Sequence, residues 1–354
     1  MRLLIGFKTM KWSAASGLLI SLSILDLQLS ERRIDMPHGS QPVSAPIVAK
    51  GIQMRLATLI VTFLVLGQAG AASGEMKIDQ KLPSPALGKD LIYNIYLPDV
   101  GSSESRLPVA YLLHGLGGGR HEWRRDGRVA DTLDRVIAAG ELAPLIAVMP
   151  EAGKSWYVDS ARFGGEGDYE RAIVQDLIPG IDATYPTVGD ARHRAIAGNS
   201  MGGHGALRLA FGHPDLFASV AALSPGIWKP GGVSWRSGPA GETPEERENW
   251  YPKTTGETFN FEVFKAQSPF ALLGQAASRR PPLNILLAVG DDDVWKLYDG
   301  TVEMFTELRR AGLKPELRVA DGGHDWRYWR TIVPEVFKFF DNNWSATTQR
   351  QSGK

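Results

Sequence analysis

Residues 194–203 read Arg194-Ala195-Ile196-Ala197-Gly198-Asn199-Ser200-Met201-Gly202-Gly203, a strand-like apolar run that breaks at a G-x-S-x-G turn and resumes with helical spacing over residues 201–211. A serine at such a junction is lifted above the end of its strand on a sharp, strained turn. Only small neighbours two positions to either side let strand and helix approach so closely. The helix that follows turns its positive end toward the hydroxyl and favours negative charge developing there. Chance alone produces such pentapeptides, so the weight lies on the strand before and the helix after. On that context, Ser200 is expected to be a nucleophile.

Further apolar runs fall at residues 92–97, 109–114, 145–150, 219–224, 284–290 and 316–320. Segments with helical spacing lie between or after them, at 129–139, 169–181, 301–311 and 328–343. Strands alternating with helices predict an α/β fold with a mostly parallel sheet covered on both faces. The interior runs are continuously apolar rather than alternating, as buried parallel strands should be. One stretch, residues 226–267, carries Gly, Pro, Trp and charge without a clear period. It reads as an irregular insert of the kind that forms lids or binding loops.

A serine hydroxyl needs a base within hydrogen-bond reach. The strand, G-x-S-x-G turn and helix resemble the nucleophile elbow of α/β-hydrolases, where the chain order is Ser, acid, His. Of seven histidines, His38, His114, His121 and His193 precede Ser200, and His204 and His213 come before any strand that could carry the acid. His324, in Gly322-Gly323-His324-Asp325-Trp326, alone fits that order as the general base. The acid should hang from the strand at 284–290, which ends in Gly290-Asp291-Asp292-Asp293; spacing does not choose among the three carboxylates. An EF-hand reading fails, because the fifth, sixth and twelfth positions from Asp291 are Trp295, Lys296 and Val302. The oxyanion hole should draw one backbone N–H from Met201 and another from Leu116, in the glycine-rich His114-Gly115-Leu116-Gly117-Gly118-Gly119. His114 itself is expected to pack or hydrogen-bond within that loop. No metal and no cofactor are expected.

Composition narrows the partners. Thirty-nine basic and thirty-nine acidic residues balance, so nothing suggests a nucleic-acid surface. The absence of cysteine excludes disulfides, thiol catalysis and thiolate metal sites. Near the N-terminus, Met54-Arg55, an apolar run of about 12 residues and Ala69-Gly70-Ala71 make the three parts of a secretory signal. Such a run is shorter than the about 20 residues a bilayer span needs. The expectation is that translation begins at Met54, that 54–72 is a signal peptide, and that 1–53 is a non-native or leader extension. Residues 73–354 then form one domain, secreted or periplasmic, with no stable membrane insertion.

Several stretches together resemble one esterase family of α/β-hydrolases, which includes feruloyl and related carbohydrate esterases, S-formylglutathione hydrolases and bacterial mycolyltransferases. They are residues 109–118, Ser155-Trp156-Tyr157-Val158-Asp159-Ser160, residues 197–203, His213-Pro214-Asp215-Leu216-Phe217, and Gly323-His324-Asp325-Trp326 with Trp329. The resemblance covers roughly residues 80–344 and implies Asp293 as the acid, since the family's G-x-x-D element falls on Gly290 and Asp293. Asn199 stands where leucine is frequent, and the insert is longer than in compact members. The implied activity is a serine carboxylic-ester hydrolase with a small-molecule or carbohydrate ester as substrate. An acyltransferase using the same triad is the alternative, and a non-catalytic binding protein on the same fold a third reading. Trp228, Trp235 and Trp250 in the insert either stack on substrate or hold the insert to the core.

Overall fold

The apolar runs become the strands of a central sheet in a computed structural model of the chain, which describes residues 6–11, 21–26, 73–101 and 105–352. The expected signal peptide, 54–72, lies outside the described residues. Two strands, β1 (Gly6–Lys11) and β2 (Ser21–Asp26), pair antiparallel within a unit spanning residues 1–68. The second unit, residues 69–354, carries everything that follows.

Its strands are β3 (Glu75–Ser84), β4 (Lys89–Leu97), β5 (Val109–Leu113), β6 (Ile146–Pro150), β7 (Arg194–Asn199), β8 (Ser219–Leu223), β9 (Asn284–Gly290) and β10 (Glu316–Ala320). They lie in the order β10-β9-β8-β7-β5-β6-β4-β3. From β10 to β6 every pairing is parallel, whereas β4 and β3 join antiparallel at one edge. This is the α/β-hydrolase fold. Side chains alternate across each central strand, so β5 sends Val109, Tyr111 and Leu113 into one apolar layer and Ala110 and Leu112 into the other. Both layers are filled, hence the unbroken apolar sequence.

The principal helices are α1 (Glu122–Arg125), α2 (Val129–Ala138), α3 (Ile178–Thr184), α4 (Met201–Gly212), α5 (Pro244–Trp250), α6 (Phe261–Gln267), α7 (Leu273–Ser278), α8 (Leu297–Arg310) and α9 (Trp326–Ser352). On one face α2 and α9 contribute Val129, Leu133, Ile332, Val333, Val336, Phe337 and Phe340, all buried. On the other, α4 is buried along nearly its whole length. After β5 the chain goes to one side to make β6 and later returns to the other to make β7. The crevice beyond the carboxyl ends of β5 and β7 is therefore a switch point, where open α/β sheets place their sites.

Two sequence expectations need correction. The sheet has an edge strand, β3, that sequence reading missed. The insert at 226–267 is also not irregular throughout: it holds a 3₁₀ turn (Ser234–Arg236), α5 and α6. Thr243 and Glu246 cap α5 reciprocally, at 3.2 and 2.7 Å, and the Asn260 side chain accepts from the first N–H groups of α6. An aromatic cluster anchors these short helices. Tyr251 packs on Trp156 and Phe264, each with ring centroids 4.9 Å apart, and Trp228 packs on both Trp156 and Phe264.

Candidate active site

The turn after β7 holds Ser200 at φ 55°, ψ −119°, a conformation that costs about 1–3 kcal/mol for a residue with a side chain. Three backbone bonds impose it: Ser200 N–H donates to Leu223 O at 2.9 Å, and Ser200 O accepts from His204 and Gly226 at 3.0 Å each. The flanking glycines answer to backbone, not to flexible side chains. A Cβ on Gly198 would lie 2.1 Å from Gly202 O, and one on Gly202 would lie 2.2 Å from Leu113 O and 2.7 Å from His114 O. Neither neighbour can swing away. Gly202→Ala is therefore expected to lower the melting temperature by more than about 10 °C, or to abolish soluble expression, because backbone must shift to admit one methyl. A melting temperature within about 2 °C of the parent would show that the turn has slack.

Ser200, His324 and Asp293, far apart in sequence, form one hydrogen-bonded line. His324 Nε2 lies 3.0 Å from Ser200 Oγ, and His324 Nδ1 lies 2.7 Å from Asp293 Oδ2. Asp293 is buried, and its other oxygen accepts the Trp295 N–H at 2.9 Å. Asp291 and Asp292 are exposed, and the Asp291 carboxylate accepts from Gly322 N–H rather than from the histidine. Behind the imidazole, Trp329 meets His324 edge to face at 5.0 Å and is itself fixed by a bond to Ser224 Oγ. Met201 opens α4, so its N–H has no partner in the helix ladder. Leu116 lines the same cleft as Ser200 and His324.

The remaining described histidines serve elsewhere. His114 is buried; Nε2 accepts from Ala152 N–H at 3.0 Å, leaving Nδ1–H to donate to Gly115 O at 2.8 Å. It braces its own loop, as expected. Burial pushes His204 down to about 3, so it stays neutral. His121 and His193 lie against Asp79 and Asp190, and His213 against Glu170.

Beyond Ser200 and His324, the cleft is walled by Trp156, Trp228, Trp250, Tyr251 and Trp295. Trp156 and Trp228 both pack in the aromatic cluster that anchors the insert and face the cleft. Trp235 packs against Phe261 and Phe264, with the Lys265 ammonium over its ring. Trp156 Nε1 donates to Trp250 O at 2.7 Å and ties the insert to the body. Trp156 and Tyr157 both adopt positive φ, 53° and 58°, which brings the Tyr157 hydroxyl to His114 O at 2.9 Å.

Sequence reading missed Glu242 and Glu122. Glu242 sits in the cleft wall, with Oε2 buried and lacking a hydrogen bond among the described residues. Burial pushes its carboxyl up to about 7, against the pull of Arg247. With a folded value above 4.5, the folded state holds this proton more tightly than the unfolded one. That contribution to stability is complete at low pH and is lost as pH climbs through about 7. The same ionisation places a charge in an aromatic wall. For an uncharged ester, KM is expected to rise severalfold as pH passes upward through about 7, and to stay flat over that range in Glu242→Gln. Equal pH profiles in the two proteins would exclude this effect. Glu122, buried, accepts from Gly115 N–H, Asn199 Nδ2 and Trp326 Nε1, each at 2.8 Å.

Comparison with known proteins agrees with this architecture. The model of the Esterase family ("Putative esterase") matches residues 84–340. An endo-1,4-beta-xylanase/feruloyl esterase of Xylanibacter ruminicola is 32% identical over 157 residues, which are 42% of this chain and 21% of that one. An acetyl esterase of Caldicellulosiruptor saccharolyticus is 25% identical over 238 residues, 66% of this chain and 83% of that one. A solved structure of a ferulic acid esterase superposes with a TM-score of 0.63 at 29% identity, covering 77% of this chain and 98% of the other. The chain spans between 21% and 31% of the length of the first relatives it matches. No helix among the described residues is long and apolar enough to cross a membrane. With a family model matched from residue 84 to residue 340, the chain belongs to the esterase family of α/β-hydrolases.

Proposed function

We propose that this protein is a serine carboxylic-ester hydrolase that works through an acyl-enzyme on Ser200. The observation that carries the reading is the Asp293–His324–Ser200 line, with contacts of 2.7 and 3.0 Å. Ser200 Oγ attacks the ester carbonyl carbon while its proton passes to His324 Nε2. The amides of Leu116 and Met201 receive the oxyanion. Collapse of the tetrahedral intermediate breaks the carbon–oxygen bond, and the alcohol leaves with the proton from His324. Water then gives a proton to the same nitrogen and attacks the acyl carbon; the bond from that carbon to Ser200 Oγ breaks, Oγ takes the proton back from His324, and the acid is released. Asp293 holds the proton on Nδ1 and stabilises the imidazolium.

The aromatic wall and the match to feruloyl and acetyl esterases support a carbohydrate or cell-envelope ester as substrate. The signal at 54–72 supports export to the periplasm or beyond. A panel of acetyl-sugar, feruloyl, short-acyl and long-acyl esters, run beside a fluorophosphonate label, tests the reading. Hydrolysis of at least one class is expected, with the label on Ser200. No turnover of any ester together with no label on Ser200 would end it. N-terminal sequencing of the exported protein should give an end near Ala72.

A further inference from the structure

Glu122 opens α1, and its carboxylate is where three loops of the site meet. Gly115, whose N–H it accepts, directly precedes Leu116; Asn199 directly precedes Ser200; Trp326 follows His324 by two residues. Two of those partners lie 77 and 204 positions away in sequence. The glutamate is 7% exposed, and its partners among the described residues are neutral N–H donors. Three charge-assisted hydrogen bonds satisfy this buried carboxylate, and an apolar side chain in its place would leave three N–H groups without their acceptor. Room has been left for it. A Cβ on Gly118 would lie 1.9 Å from Glu122 Oε2, so the glycine-rich loop is folded around this carboxylate.

We infer that Glu122 is a positioning residue for the reaction, clamping the oxyanion loop to the nucleophile turn and to the histidine loop. By taking the Gly115 N–H it fixes the His114–Gly115 peptide plane, from which the chain runs directly into the Leu116 N–H that meets the oxyanion. By holding Asn199 and Trp326 it sets how Ser200 and His324 stand relative to that donor. The inference rests on the serine-esterase reading above. Glutamine has the right shape and the wrong polarity. All three partners donate, so the side-chain amide in Glu122→Gln must turn its NH₂ toward at least one of them.

The test uses the full chain. Fluorophosphonate titration counts reactive Ser200, so kcat is expressed per titrated site and unfolded protein drops out. Glu122→Gln is expected to lower that kcat by about 10- to 100-fold, short of the about 10²–10³ for outright loss of an oxyanion donor. KM should stay within about threefold, and affinity for a boronic acid that forms a tetrahedral adduct should fall in step with kcat/KM. Asn199→Asp in the Glu122→Gln background restores an acceptor for the NH₂ and should recover part of the loss. Should Glu122→Gln not fold, Asn199→Leu removes one of the three bonds and should cost about three- to tenfold in kcat per titrated site. Wild-type kcat per titrated site in Glu122→Gln, with only a lower melting temperature, would reduce Glu122 to a structural role and overturn the inference. So would unchanged boronate affinity, or wild-type kcat in Asn199→Leu where Glu122→Gln is unfolded. A wild-type protein that does not label at Ser200 would instead overturn the serine-esterase reading itself.

Discussion

Ser200→Ala is expected to lower kcat for ester cleavage by about 10⁶ while leaving the fold in place. The hydroxyl makes one side-chain bond, to His324 Nε2, and supports no packing that an alanine methyl would lose. The strained backbone at φ 55° is held by its N–H donating to Leu223 O and its carbonyl accepting from His204 and Gly226, none of which uses the side chain. Melting temperature should therefore move by no more than about 2 °C. What survives is binding plus the oxyanion donors, which retain about 10³–10⁴ over the uncatalysed rate in triads of this type. His324→Ala should cost about as much, and the double variant little more, because the two residues act as a unit. Rates measured on one ester with protein of verified circular dichroism decide it. A Ser200→Ala variant keeping more than a tenth of the parent rate would rule out the acyl-enzyme.

The parts of the fold and site that were legible in sequence share one cause. Where a local steric demand or a two-sided core dictates residue type, the pattern is written in the chain. The central strands had to be apolar on both faces, and β9 was bounded correctly at Asn284–Gly290. The elbow needed Gly198 and Gly202, because backbone oxygen occupies the space a side chain would take. β3 escaped because, as an edge strand over Glu75–Ser84, it is mostly exposed or half-buried and carries no apolar run. The insert helices escaped because each has 7 residues, too few to show a 3.6-residue period. Their caps were readable all the same: Thr243 stands three residues before Glu246, and Asn260 directly before α6. Glu122 was illegible for a different reason. Nothing local marks a carboxylate two of whose partners arrive from 77 and 204 positions away, and only an asparagine at position 199, where leucine is frequent, hinted at a polar neighbour.

Asp293→Asn is the second large expectation, a loss of about 10⁴ in kcat near neutral pH, and the hydrogen bonds explain why so small a change should matter. In the parent, Asp293 Oδ2 accepts from His324 Nδ1, and Oδ1 accepts from Trp295 N–H. Both partners donate. In the asparagine variant the carbonyl oxygen keeps the Trp295 N–H, which cannot move away from the backbone turn. The amide NH₂ then faces His324 Nδ1, and that nitrogen has to accept. The imidazole proton shifts to Nε2, which now points a hydrogen at Ser200 Oγ and can no longer take one. Burial of Asp293 leaves little room for water to restore the other tautomer. Asp291→Asn and Asp292→Asn, on exposed side chains outside this line, should each keep kcat within about twofold. The three variants side by side are a stronger test than any one alone, since they differ only in which neighbour of the same turn is neutralised. If Asp291→Asn or Asp292→Asn shows the large loss and Asp293→Asn does not, the assigned carboxylate is wrong even though the serine and histidine stand.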